Sequence, residues 1–97
     1  MTYRILSPAL AEMTESADYY EAQVAGLGAD FVMEVDLAIG RILQFPQAWG
    51  RISNKCRHCQ LRRFPYSIIY AIQDTGEMVV VSVFHHSRAP FSWERNL

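Results

Sequence analysis

The chain is poor in several features that would otherwise classify it. Its 97 residues include only two cysteines, Cys56 and Cys59, too few for a disulfide framework and in keeping with a reducing compartment. No stretch approaches the roughly 18 to 20 apolar residues that a helical membrane crossing needs, and Met1–Leu6 lacks the charged-then-apolar pattern of an export signal, so a cytosolic protein without membrane contact is expected. Repeats, low-complexity tracts and linker-like stretches are missing too, which leaves one domain over residues 1–97. Basic residues are scarce in the first third: residues 1–36 hold seven acids and a single base, Arg4. From residue 37 onward eight bases face only Asp74, Glu77 and Glu94. The C-terminal part therefore offers a positive field to nucleic acid or an acidic protein, although a sheet with solvated charges would show the same composition.

What is present is apolar. With 51% hydrophobic and 12% aromatic residues, the chain carries enough core material to fold. A domain this small hides only about two-thirds of the surface that its unfolded chain exposes, so a partner that completes the core is a natural addition.

Tyr3 to Leu6 reads as a short strand. Ser7-Pro8 then predicts a helix start, with serine as cap and proline at the first helical position. Leu10, Met13, Ala17, Tyr20, Val24 and Leu27 recur at steps of three and four, opposite an acidic face of Glu12, Glu15, Asp18 and Glu21. After Gly26 and Gly28, a second stripe of Phe31, Val35, Ala38, Ile39 and Ile42 runs until Pro46 forbids continuation. The two helices form an antiparallel hairpin. Trp49 to Lys55 reads as a loop, with Trp49 a lid on the core. Three antiparallel strands follow, at Gln60–Phe64, Tyr66–Ile72 and Met78–Phe84, with Asp74-Thr75-Gly76 turning between the last two. The expected fold is α+β, in the order strand, helix, helix, strand, strand, strand, with helices on one face of the sheet and a short C-terminal tail. Both faces of the last two strands are apolar, so the second face also needs cover, which a partner's helical segment could supply.

The polar groups gather where the last strand stops. His85 and His86 fall on opposite faces by strand alternation, so at most one of them serves any one site. Arg88 either pairs with Glu94 or the acidic first helix, or reaches a target. Trp93, flanked by Glu94 and Arg95, either docks on the sheet or fills a partner's pocket. Arg62, Arg63 and Lys55 are weaker candidates for a nucleic-acid or partner contact. Cys56-Arg57-His58-Cys59 has metal-like spacing, but no second cysteine pair completes a zinc site and no helix follows to activate a redox thiol. Two plain reduced cysteines are expected, with no metal.

Phe64-Pro65-Tyr66-Ser67-Ile68-Ile69-Tyr70, a valine-rich strand, and then His85-His86-Ser87-Arg88-Ala89-Pro90-Phe91-Ser92-Trp93 together resemble the RelE/ParE family of bacterial type II toxins, and the likeness extends over nearly the whole chain. It implies a toxin neutralised by a cognate antitoxin, ParD-like or other, with operator DNA met only through that antitoxin. RelE-like members cut messenger RNA on the ribosome, whereas ParE-like members inhibit DNA gyrase. The nuclease pattern has an arginine directly after the strand tyrosine, where this chain has Ser67, and a tyrosine in the tail, where it has Trp93. Serine supplies no cation and indole no titratable proton. The resemblance thus implies a ParE-like gyrase inhibitor that acts by binding, without cofactor or catalytic residues. Target contacts are expected at Arg88, Trp93, Arg95, His85 and His86. A ribosome-dependent nuclease or a non-toxic binding module of the same fold is the alternative.

Overall fold

In the computed structural model, which describes residues 1–97, the first strand, β1 (Tyr3–Ile5), passes into the first helix, α1 (Ser7–Gln23), with only Leu6 between them. The Leu6 N–H donates to the Val80 carbonyl, so sheet pairing runs up to the helix. Leu6, not Ser7, occupies the cap position, and no side chain caps the helix. Sheet pairing leaves no room for the expected serine cap. Pro8 stands in the first turn, where its missing N–H costs nothing. The second helix, α2 (Leu27–Gln44), stops before Phe45-Pro46 and buries Phe31, Val35, Ala38, Ile39 and Ile42 as expected.

The turn between the helices depends on Glu21, whose carboxylate accepts the N–H groups of Gly26 and Gly28. Gly26 has φ of 89°, a conformation that costs glycine nothing. Gly28 permits close helix contact, since a Cβ there would lie 2.6 Å from the Ala17 carbonyl oxygen.

The remaining strands are β2 (Cys56–Gln60), β3 (Tyr66–Ile72) and β4 (Met78–His85). The sheet order is β1-β4-β3-β2, with β1 parallel to β4 and the other pairs antiparallel. β2 lies four residues earlier than the pattern Gln60–Phe64 suggested. Residues 61–65 instead form the β2–β3 connection, where the Glu34 carboxylate accepts the N–H groups of Arg62 and Arg63 from below. That buried acid offers the connection an alternative to a ladder, a long-range effect invisible in local alternation.

The main core lies between the helices and one face of the sheet. Tyr20, Phe31, Phe64 and Tyr66 form an aromatic cluster there with ring centroids 4.8–6.2 Å apart. Burying a ring such as Phe31 contributes about 1.5–3 kcal/mol. Trp49 packs against this core. The Tyr70 hydroxyl donates to the Pro46 carbonyl across 2.7 Å, tying β3 to the end of α2.

The second face is covered by the chain itself. A 3-10 turn at Ser92–Asn96 folds back and places Trp93 on Cys56, Ile69 and Val81. Between Ile69 and Tyr70 of β3 the pairing with β4 slips by one, so that Val81 and Ser82 together oppose Ile69. This bulge inverts the alternation of β4. Met78 and Val80 face the helices before it, and Val83 and His85 after it. No helix is long and apolar enough to cross a membrane.

Candidate functional site

The bulge determines which histidine reaches the second face. His85 stacks edge-on against Tyr66, 4.8 Å between centroids, on the helix side. Its Nδ1 accepts the Ser87 N–H, which leaves the ring proton on Nε2. His86 emerges on the opposite side and shares a hydrogen bond of 2.9 Å with the Ser67 hydroxyl.

Around that pair lies a groove of about 430 Å³. Strand pairing places its walls: Gln60 lies opposite Ser67, and His58 opposite Ile69, while Phe84 follows on β4 next to Ser67. Arg88, Phe91 and Trp93 close the side formed by the tail. The result is an apolar floor with one polar wall, a form suited to gripping a mixed polar and apolar surface. His58 is half-buried, and burial, followed by the neighbouring His86, lowers its pKa from 6.5. The wall thus carries a neutral imidazole beside a more exposed one near neutral pH.

Arg88 is anchored. One guanidinium nitrogen donates to Glu12 across 2.8 Å, and Glu12 also accepts from the Ser82 hydroxyl, the Val83 N–H and, at 3.4 Å, the Asn96 amide. Asn96 donates in turn to the Val81 carbonyl. Because β1 ends at Ile5, the edge of β4 beyond Val80 has no strand partner, and Glu12 supplies the missing acceptor. Periodicity groups Glu12 with an acidic face opposite the buried stripe, but its side chain is only 12% exposed. Leu10, conversely, is 48% exposed. The helix is rotated toward a polar hub that hydrophobic spacing does not register.

Of the residues singled out in the sequence, Arg88, His86 and Trp93 come together at the groove. Trp93 is buried as part of the floor, and His85 lies on the other face. Arg95 is exposed in the terminal turn. Arg62 and Arg63 sit in the β2–β3 connection, Arg63 pairing with Asp30 at 3.5 Å. Lys55 lines a separate cavity near the start of β2. Strand reasoning missed His58, Gln60 and Phe91. Placing β2 at Cys56 would have revealed the first two, because Cys56, His58 and Gln60 then alternate on one face.

The same alternation accounts for the cysteines. Three residues apart on a strand, they point to opposite faces, Cys59 into the helix-side core and Cys56 under Trp93. They cannot share an ion or a disulfide. Burial pushes both thiols up, which makes them poor nucleophiles.

Phe91 has φ of 63° and is the one non-glycine residue in the left-handed region. The residue is 56% exposed at the rim, its ring 6.2 Å from that of Trp93. A bulky residue held in that conformation stores strain, a pattern concentrated at functional sites.

The fold has a counterpart among solved structures. A chain of the chromosomal ParDE TA system from P. aeruginosa has a similar fold, with a TM-score of 0.74 and 20% sequence identity over 88% of this chain and 95% of that one. No curated protein matches the sequence. The family model of the ParE toxin of the type II toxin-antitoxin system parDE matches residues 3–90. That span takes in every strand and both helices, and the chain therefore belongs to the ParE toxin family.

Proposed function

We propose that this ParE-family protein inhibits DNA gyrase by binding, through the groove and the tail that borders it, and that a cognate antitoxin holds it inactive. The observation that carries this reading is the environment of Ser67. RNA cleavage requires a cation beside the reacting phosphate and a group to move protons. At the residue after Tyr66 the chain instead has a buried serine hydroxyl bonded to His86. Arg88, the nearest cation on that wall, is already neutralised by Glu12. Such a surface recognises a partner better than it stabilises a phosphorane.

The antitoxin has surface to cover elsewhere. Met33 and Leu37, one turn apart on α2, are 61% and 52% exposed, and Phe45 is similarly open. Apolar groups in a row on a helix invite a helical or extended partner segment.

The test is purified protein in a gyrase supercoiling reaction, with a ribosome-primed messenger cleavage reaction beside it. Inhibited supercoiling that added antitoxin reverses is expected. Unimpaired supercoiling together with cut messenger would overturn the proposal.

A further inference from the structure

A second cavity, of about 770 Å³, opens at the other end of the sheet, between the loop that enters β2 and the β3–β4 turn. Three cations line it: Arg51, Lys55 and Arg57. Arg51 and Arg57 are direct partners in an antiparallel backbone bridge, an arrangement in which like charges repel. None of the three forms an ion pair, as is also true of Arg41, Arg62 and Arg95, whereas Arg4, Arg63 and Arg88 each pair with a carboxylate. Asp74, on the turn across the cavity, is the acidic side chain among the lining groups, and it forms no ion pair with them.

The two guanidinium groups are nonetheless held in place. Arg57 donates to the Trp49 carbonyl at 2.7 Å and to Gln47 Oε1 at 3.0 Å, and Arg51 donates to the Asn54 carbonyl. Neutral acceptors orient these groups without cancelling their charge, and leave further N–H donors free. The loop is ordered by Ser53, whose hydroxyl accepts the N–H groups of Lys55 and Cys56. No aromatic ring lines the cavity, so it lacks the stacking platform typical of single-stranded nucleic-acid sites.

We infer that this cavity binds a phosphate chain, the di- or triphosphate group of a nucleotide or a free polyphosphate. Cations that outnumber the one acidic side chain and form no ion pair with it, two of them preoriented, in a concavity within the size range of small-ligand sites, match that chemistry. The site is separate from the groove, and its failure would leave the gyrase reading untouched.

Calorimetric titration of the purified chain with tripolyphosphate, ATP and a single-stranded oligonucleotide tests the inference. Saturable binding of tripolyphosphate that weakens with salt is expected, and the exposed-residue double variant Arg51→Gln/Lys55→Gln should lose about tenfold or more in affinity with an unchanged Tm. ATP binding equal to tripolyphosphate supports recognition of the phosphate chain alone, and tighter ATP binding supports a nucleotide. Absence of saturable tripolyphosphate binding at low ionic strength, undiminished affinity in the folded double variant, or binding of the oligonucleotide alone would each overturn it.

Discussion

Arg88 and Glu12, 76 positions apart in sequence, meet at 2.8 Å and join the segment after β4 to the first helix. The carboxylate is the more buried partner, with 12% of its side chain exposed against 35% for the arginine. It also has more dependents, since Ser82, Val83 and Asn96 all donate to it. Two substitutions at this contact should therefore differ in cost.

Glu12→Ala strands several donors and is expected to destabilise the fold by about 2–4 kcal/mol. Arg88→Ala leaves the carboxylate with its other donors and should cost about 1 kcal/mol. Urea unfolding of both variants and of the double variant measures the difference. Equal costs for the two single variants would contradict the hub.

Trp93 and Phe91 are neighbours with opposite roles. Trp93→Ala uncovers the second face and should cost about 3–5 kcal/mol, so any loss of toxicity there reports unfolding as well as contact. Phe91→Gly relaxes a left-handed residue and is expected to raise stability by up to about 1 kcal/mol while weakening the proposed gyrase inhibition. A stable Phe91→Gly protein of full potency would remove the rim from the interface.

Two helical glycines give an internal control. Gly28→Ala drives a Cβ toward the Ala17 carbonyl oxygen and Glu21, and overpacking of this kind costs about 1–3 kcal/mol. Gly40→Ala meets nothing within 4 Å, so the helix gains about 0.5–1 kcal/mol. Thermal unfolding should move Tm down for the first and up for the second.

His58 sets a pH dependence. Burial, then the adjacent His86, holds its folded pKa below 6.5, so on acidification the unfolded chain takes up this proton before the folded one does. The corresponding stability is complete above about pH 6.5 and is lost as pH falls through the lowered folded value. Urea midpoints recorded across that window should fall more steeply for the wild type than for His58→Gln. Parallel profiles would show that His58 does not carry the effect.

Local pattern was enough for the architecture. The stripe from Phe31 to Ile42, the stop at Pro46 and the two-faced apolar strands Tyr66–Ile72 and Met78–Phe84 specify a helix hairpin on a sheet whose last strands are antiparallel, because burial imposes periods of 3.6 and 2 on any chain that folds. The family could likewise be read from Phe64–Tyr70 and the tail, where residue types at short range suffice. Tertiary structure decided what long-range polar contacts control. Glu34 pulled residues 61–65 out of the ladder, and Glu12 turned the first helix toward the edge of β4. A single extra residue at Val81–Ser82 then chose His86 over His85 for the groove. Hydrophobic periodicity records only which side chains avoid water, and is silent about a carboxylate that finds its donors 70 residues away or a strand that slips by one.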